Sequence, residues 1–354
     1  MKLLRPLKRA CKFTLRHLRR IITVGVVSVI LLGGVAIYIG QKGAEVVECN
    51  YLQLPEEALP GTGPLRIAYV CDIHNDADKL RQAIAHIKEA KPDLILLGGD
   101  YVSASQRFMR TRWMVQGLRE LAEIAPLFAA LGNHDYEKLG QLERVMQTAE
   151  ITLLRNEARN WETPAGGTVC IVGLGDWNEG DEDPHTCMLP SGEEESAVLV
   201  LSHDPESRWF LRQYDWDLML SGHTHGGQIA NPFTNPVQYI SFRSSMPAGL
   251  FEFEGARRVF VSRGAGSIGG MRFFCPPEIN IIDIGDRANF VPPADDEAEE
   301  DEAPDTPEAE PTEDTTEDNT PESPESPEPG PETPPEPGQP QPTGDSIIPE
   351  LPAI

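Results

Sequence analysis

The chain has 354 residues, which is enough for one large domain or two ordinary ones with a substantial core. Its formal net charge of −26 is uneven: residues 294–354 hold 21 Asp or Glu and no Lys or Arg, whereas the first 20 residues hold eight Lys or Arg and no acid. This acidic balance argues against a nucleic acid partner. The six cysteines form no C-x-x-C pair, which excludes a zinc ribbon and a dithiol redox motif.

The basic head, residues 1–20, precedes an uncharged stretch at 21–40. As a helix this stretch would be roughly 30 Å long, about the thickness of a bilayer core. We therefore expect a single-pass transmembrane anchor in the inner (cytoplasmic) membrane. The basic flank predicts a cytoplasmic head and a body on the other side. A buried core helix, a cleaved signal peptide and twin-arginine export through Arg19 and Arg20 are the alternatives.

The body, residues 46–290, alternates between two kinds of apolar pattern. Runs rich in Val, Ile and Leu predict strands at 66–71, 94–97, 127–131, 168–172, 197–201, 218–220, 258–261 and 279–284. Helical spacing is found at 77–90, 111–124, 139–149 and 205–213. This alternation is typical of an α/β domain, in which ligands bind where strands end and loops begin.

The tail, residues 294–354, contains fifteen of the 32 prolines and is otherwise dominated by Glu, Asp, Thr and Ser. Such a segment buries too little apolar surface to offset the entropy of ordering, so we expect it to be disordered. It is interpreted as an inert solubilising spacer or as an arm that binds an unknown partner. The apolar end, "SIIPELPAI", is the candidate docking peptide in the second case.

Polar side chains follow five of the predicted strands at the point where each strand ends. Five of the eight histidines of the chain belong to this set. The residues are Asp72, His74, Asp100, Asn133, His134, Asp135, His203, His223 and His225. A single Asp or His at a strand end is usually a cap or a turn residue, but five coincident strand ends indicate one site. Glycines beside them, as in "GGD" and "GHTHGG", allow sharp turns and a close approach to a ligand.

These residue types favour a particular metal chemistry. Carboxylate, amide and imidazole ligands without a thiolate suit Mn, Fe or Zn in open sites. The set is too large for one ion, whereas two ions ~3.5–4 Å apart could clamp a phosphoryl oxygen and activate water. His134 lies next to Asn133 and is the candidate catalytic proton donor, with Asp135 available to orient it.

Five motifs in this order, "DIH", "GGD", "GNHD", "SHDP" and "GHTHGGQ", closely resemble those of calcineurin-like metallophosphoesterases over about residues 64–285. The resemblance implies an α/β fold, a four-layer αββα sandwich, with two metal ions between the sheets and Mn as the first expectation. It assigns one ion to Asp72, His74 and His225, and the other to Asn133, His203 and His223. It also implies that Asp100 bridges the ions and that His134 is the catalytic histidine.

The head, "GHTHGGQI" and the closing "SRGAGSIGGMRFFCPPEINIIDI" look like membrane-anchored bacterial phosphodiesterases of the YaeI, YkuE and LpxG type. This resemblance implies a lipid-linked phosphate or diphosphate substrate such as UDP-2,3-diacylglucosamine, an intermediate of lipid A synthesis. That substrate is hydrolysed on the cytoplasmic side, which conflicts with the charge rule. An exported envelope phosphodiesterase acting on another lipid or cell-wall phosphate is therefore the alternative. A non-catalytic metal-binding scaffold is the third interpretation.

Overall fold

The computed structural model describes residues 4–103, 111–189, 196–234, 238–241 and 244–287, without the side chains of residues 4–16. The predicted tail at 294–354, including its apolar end, lies outside the described residues. The predicted boundaries of head, anchor, body and tail therefore stay expectations.

The N-terminal helix α1 covers Leu4–Gly43. Its part His17–Gly43 is long and apolar enough to cross a membrane, and none of its most apolar window is buried among the residues that the structure describes. A signal sequence near the N-terminus would meet the same criteria of length and composition. The helix is thus a candidate anchor.

The rest of the described chain is built from strands and short helices. The strands are β1 (Glu48–Leu54), β2 (Leu65–Val70), β3 (Leu94–Leu97), β4 (Leu127–Ala129), β5 (Thr152–Leu153), β6 (Glu157–Glu162), β7 (Thr168–Gly173), β8 (Ala197–Leu201), β9 (Leu218–Ser221), β10 (Ala230–Asn231), β11 (Gln238–Tyr239), β12 (Gly249–Glu252), β13 (Arg258–Val261) and β14 (Glu278–Ile284). The other α-helices are α2 (Ala77–Ala90), α3 (Thr111–Ala122) and α4 (Leu139–Ala149). Short 3-10 helices cover Glu56–Ala58, Asn133–Lys138, Pro184–Thr186, Pro205–Gln213, His225–Gln228, Glu254–Ala256 and Ile268–Gly270.

Two six-stranded sheets form the centre of the domain. The first has the order β1-β14-β2-β3-β4-β5 and is parallel except between β14 and β2. The second has the order β12-β13-β9-β8-β7-β6 and is antiparallel at both of its outer pairs. The remaining strands β10 and β11 form a separate ribbon.

The two faces of the first sheet enter different cores, because side chains alternate along a strand. In β2, Leu65, Ile67 and Tyr69 belong to the core between the two sheets. Ala68 and Val70 belong to the core under α2, α3 and α4. This alternation makes the first sheet an inner layer of a sandwich.

Helix α2 shows why the outer layer forms. Asp76 caps it by accepting hydrogen bonds from the amides of residues 78 and 79. Leu80, Ile84 and Ile87 recur at helical spacing and are buried against the sheet, each contributing about 1.5–3 kcal/mol to stability. The helix ends at Ala90, and the capping residue Lys91 takes the left-handed conformation.

The predicted four-layer sandwich is confirmed. Its fourth layer is the 3-10 helix Pro205–Gln213, whose Leu211 packs with Tyr214 and Trp216 on the outer face of the second sheet. The predicted α/β core strands are present, several of them with unchanged limits. Edge strands β1 and β6 were not predicted, because both are half exposed and rich in polar residues.

Candidate metal centre

The topology brings the predicted strand ends to one rim. Strands β2, β3 and β4 are parallel neighbours in the first sheet, and β8 and β9 are parallel neighbours in the second. The carboxyl ends of parallel neighbours meet at the same edge. The loops after these five strands carry all nine predicted site residues.

The backbone at this rim is strained. Asp72, His74, Asp100, His223 and His225 all have φ between 51° and 66°, in the left-handed region that residues other than Gly rarely adopt. Such conformations cost of order 1–3 kcal/mol each and persist where the surroundings hold them. Main-chain bonds hold two of them: the amides of Asp72 and His74 donate to the carbonyls of Gly99 and Asp100, each at 2.9 Å.

Asp72, His74 and His225 form the buried half of the centre. The Nε2 atoms of the two imidazoles face each other at 2.9 Å. Asp72 Oδ1 lies 3.8 Å from Nε2 of His74 and 3.3 Å from Nε2 of His225. Asp72 Oδ2 is buried with no hydrogen-bond partner among the residues that the structure describes. Converging lone pairs and an unpartnered carboxylate oxygen fit a divalent cation.

Asp100 lies between this half and the rest of the centre. Its Oδ2 is 3.6 Å from His74 Nε2, 3.2 Å from His203 Nε2 and 4.0 Å from His134 Nε2. Its Oδ1 accepts a hydrogen bond of 2.9 Å from the amide of His134. One carboxylate therefore reaches imidazoles on both sides, as a bridging ligand must.

Asn133, His134 and His223 form the open half of the centre. His223 Nδ1 lies 3.0 Å from Asn133 Oδ1. The His223 and His134 side chains are 20% and 27% exposed, whereas that of His203 is fully buried. His134 shares with His74 and Asp100 a spacing that could hold a metal ion. Distances alone therefore fit His134 as a ligand as well as the predicted catalytic group.

Main-chain carbonyls orient two of the imidazoles. His203 Nδ1 lies 2.8 Å from the carbonyl of Gly98, and His74 Nδ1 lies 3.2 Å from that of Val102. A ring that donates its Nδ1–H to a carbonyl keeps the Nε2 lone pair for a metal. The Nε2 atoms of both rings point toward Asp72 and Asp100.

The electrostatics also favour a cation. Burial alone would raise the pKa of Asp72 and Asp100, but the neighbouring imidazoles outweigh it and lower both pKa values. Burial lowers the pKa of His225 to about 3, so this ring is neutral at physiological pH. Burial would also lower the pKa of His203, yet the Asp100 carboxylate raises it above its usual range. The site thus attracts positive charge, and either a metal ion or a proton can supply that charge.

The Asp135 carboxylate contacts main-chain amides in the described structure. It is buried and accepts hydrogen bonds from the amides of Asp100, Tyr101, Val102 and Gly132, at 2.8 to 3.1 Å. These bonds fix the loops after β3 and β4 to each other. In the described part of the chain no hydrogen bond joins it to the His134 ring, so it positions the backbone that carries Asp100 and His134.

Two further residues at the site were not predicted. Asp176 follows β7 and is buried, with Oδ2 unpartnered in the described structure and an electrostatic influence from His203 and His223. The run "GLGD" that ends at Asp176 carries the same strand-end signal as the predicted site residues. Arg272 is fully buried and places Nη2 3.1 Å from His225 Nδ1. No sequence signal distinguished this arginine from a surface one.

Comparisons with known proteins agree with this geometry. The profile of the family "Calcineurin-like phosphoesterase" matches residues 65–227. Phosphodiesterase YaeI of Escherichia coli (strain K12) is 37% identical over 230 residues, covering 62% of this chain and 82% of YaeI. The uncharacterized metallophosphoesterase YkuE of Bacillus subtilis (strain 168) is 28% identical over 210 residues, covering 58% of this chain and 73% of YkuE. UDP-2,3-diacylglucosamine pyrophosphatase LpxG of Chlamydia muridarum (strain MoPn / Nigg) is 26% identical over 281 residues, covering 62% of this chain and 83% of LpxG.

Two facing sheets with carboxylates and imidazoles converging at their rim define a metal-dependent hydrolase of phosphate esters. The chain belongs to the calcineurin-like phosphoesterase family. Members of this family bind a dinuclear metal centre, and this chain brings together candidate ligands for it. The family resemblance and the hydrolase class predicted from the five motifs are confirmed.

Proposed function

We propose that the chain is a membrane-anchored phosphoesterase that uses two metal ions to hydrolyse a phosphodiester or diphosphate bond of a lipid-linked substrate. The observation that carries the proposal is the convergence of side chains from five strand ends at distances suited to metal binding. The seven proposed ligands are Asp72, His74, Asp100, Asn133, His203, His223 and His225. We take Mn²⁺ as the first metal to test, with Fe and Zn as alternatives.

The bound ions would polarise the phosphoryl oxygens and activate a water nucleophile. His134 is the proposed catalytic residue, since its ring lies on the exposed side of Asp100 and it is not one of the seven proposed ligands. Its proton would go to the leaving oxygen. Its main-chain amide is held by Asp100, and the loop that carries it is held by Asp135. The protein thus presents this imidazole to a substrate in a fixed position.

The proposed substrate class follows from the anchor. Helix α1 ends at Gly43 and β2 begins at Leu65, so the metal centre lies a short chain length from the end of the candidate span. A relative named a UDP-2,3-diacylglucosamine pyrophosphatase and another named a phosphodiesterase support diphosphate or phosphodiester chemistry. UDP-2,3-diacylglucosamine is therefore the proposed named substrate, and the inner (cytoplasmic) membrane the proposed location.

A second candidate rests on the basic head. Eight Lys or Arg before the apolar stretch favour a catalytic domain on the outer side of the membrane. On that side the substrate would be another lipid or cell-wall phosphate. Protease treatment of intact cells, followed by detection of the domain, distinguishes the two locations.

Turnover of two substrates by the purified full chain with Mn²⁺ tests the proposal. Hydrolysis of bis-p-nitrophenyl phosphate above the level of a His134→Ala variant would support the enzyme and exclude a non-catalytic scaffold. Release of UMP from UDP-2,3-diacylglucosamine would support the lipid substrate. Turnover of the first substrate without UMP release would reject the named substrate and favour the exported phosphodiesterase.

A further inference from the structure

The C-terminal end of α1 is fastened to the catalytic domain. The amide of Arg272 donates a 2.8 Å hydrogen bond to the carbonyl of Gly40. A Cβ atom on Gly43 would collide with the carbonyl oxygen of Arg272, so glycine permits this close approach. Lys79 of α2 donates from Nζ to the carbonyls of Ala44 and, at 2.6 Å, Glu45. This buried ammonium lies where the dipole of α1 favours a cation.

Gly40 is the last residue of the apolar stretch at 21–40, so it marks the depth at which the proposed anchor leaves the bilayer. The segment that contacts it, around Arg272 and Phe273, must lie at the same depth. The position of neighbouring loops relative to the bilayer surface follows from this contact.

Those loops expose large apolar side chains. The exposed fractions reach 93% for Phe233, 61% for Phe274 and 54% for Ile268. We call the group of six exposed residues in these loops the interfacial patch. It consists of Ile229, Phe233, Ile240, Ile268, Met271 and Phe274.

Main-chain and side-chain bonds connect the two loops that carry the interfacial patch. The amide of Phe273 donates to the carbonyl of Gln228 at 2.8 Å, and the Gln228 side chain bonds to both main-chain groups of Ile268 at 2.7 and 2.9 Å. The amide of Ile240 donates to the carbonyl of Ile229 at 2.9 Å. These bonds therefore hold the two loops that carry the patch together beside the end of α1.

Two features show that this surface suits an apolar environment. The segments 229–240 and 266–275 contain one charged residue between them, Arg272, and its side chain is fully buried. Phe274 has a φ of 54°, a conformation that a bulky residue rarely adopts, and yet its ring points outward. In water, exposed aromatic rings on an uncharged surface are unfavourable, whereas at a membrane interface they are favoured.

We propose that the interfacial patch is a second membrane contact, which inserts into the headgroup region beside α1. The inference rests on the proposed membrane anchor. The patch lies on two loops, one that begins at His225 and one that contains Arg272. The Arg272 guanidinium lies beside the His225 imidazole. The metal centre would thereby lie close to the bilayer surface from which a lipid-linked phosphate arrives.

Fluorescence quenching in reconstituted bilayers tests the patch independently of activity. The full chain carrying Phe233→Trp or Phe274→Trp is placed in phosphatidylcholine vesicles with or without acyl chains brominated near the headgroup. The matched control is Phe210→Trp, an exposed aromatic position outside the patch, 49% exposed. We expect the added tryptophan at 233 or 274 to be quenched at least about twofold more than that at 210, since interfacial groups lie roughly 5–10 Å into the bilayer. Equal quenching at all three positions would overturn the proposal.

Two further measurements separate this inference from the proposed function. Flotation of the wild-type chain with vesicles reports the anchor, and its failure would overturn both anchor and patch. A Phe233→Glu/Phe274→Glu variant is then compared with wild type. We expect turnover of soluble bis-p-nitrophenyl phosphate to be unchanged, and that of a vesicle-embedded diphosphate lipid to fall about tenfold. A variant that treats both substrates like wild type would count against the patch, and an inactive wild type would count against the proposed function alone.

Discussion

The two halves of the metal centre differ in burial and in how they are held. Asp72, His74 and His225 of the buried half are at most 7% exposed. His223 and His134 of the open half are 20% and 27% exposed at their side chains. A buried set of converging ligands suits tight retention of an ion, whereas a partly exposed set leaves room for substrate. The difference indicates that substrate enters from the side of the GNHD turn.

Asp100 belongs to neither half, and its replacement should have the largest effect. Asp100→Asn removes a carboxylate that lies near His74 of the buried half and His134 of the open half, so turnover should fall to background and bound metal should fall for both ions. Thermal unfolding with and without Mn²⁺ provides the readout. An ion that binds only the folded state and is present at 100 times its Kd stabilises that state by about 2.7 kcal/mol. The variant should lose this stabilisation. Retention of two ions would contradict a bridging role.

His134 tests whether the open half contains a catalytic group or an eighth ligand. His134→Ala should lower kcat by about 10²–10⁴-fold, the usual contribution of a general acid, while metal content stays at the wild-type level. Elemental analysis of the loaded protein beside the kinetics separates the two roles. His223→Ala is the matched variant from the same half, and it should lose metal. If His134→Ala also lost an ion, the ligand role would replace the catalytic one.

Arg272 tests how the buried half is held. Its guanidinium donates to main-chain carbonyls at residues 263, 264, 266, 225 and 275, and lies against the His225 ring. Arg272→Lys keeps the charge but cannot reach all of these acceptors. We expect Mn²⁺ affinity about 10–100-fold weaker, the usual effect of losing a group that orients a ligand. Each unsatisfied buried carbonyl should also cost about 1–3 kcal/mol of stability.

Manganese titration of the purified variant measures this affinity. The matched control is Arg258→Lys, which replaces a guanidinium on β13 whose partner, Glu252, is 67% exposed. Its metal affinity should equal that of the wild type. Equal affinities of the Arg272→Lys protein and this control would show that His225 is held without the guanidinium.

The sequence indicated which side chains converge at the rim better than which groups each of them contacts. Strand-end positions are readable because apolar runs end abruptly at Asp72, Asp100 and His203, and a motif set in fixed order is specific. The orientation of the Asp135 side chain could not be predicted from the sequence. An aspartate next to a histidine looks the same in sequence whether it contacts the histidine ring or four main-chain amides. Only the fold shows that those amides surround it.

The same limit explains which parts of the fold escaped prediction. Central strands such as β3 and β8 are buried on both faces and appear as continuous apolar runs. Edge strands β1 and β6 have one exposed face and polar sequences, so their pairing depends on distant partners. The burial of Arg272 likewise depends on carbonyls that only tertiary structure brings together.

The smallest effect is expected at the outer support of the open half. Asp181 accepts two hydrogen bonds of 2.7 Å from Arg155 and one of 2.6 Å from Tyr136, which lies in the turn that carries His134. The bond from Arg155 is the main cause that lowers the pKa of Asp181. Asp181→Asn should cost about 1 kcal/mol, since the pair is partly exposed, and lower kcat a few-fold.

The pH dependence of unfolding distinguishes the loss of the Asp181–Arg155 ion pair from a loss of packing. A carboxylate whose pKa is lowered in the folded state stabilises the fold above its unfolded pKa of about 3.9 and loses that contribution as pH falls through the lowered value. Wild type and Asp181→Asn should therefore differ by the full amount near pH 7 and converge as pH falls below about 4. Glu157→Gln, which removes an exposed pair with Arg159, should match wild type throughout. A gap between wild type and Asp181→Asn that persists in acid would mean that the side chain acts through packing, and the open half would then depend less on charge than the buried half does.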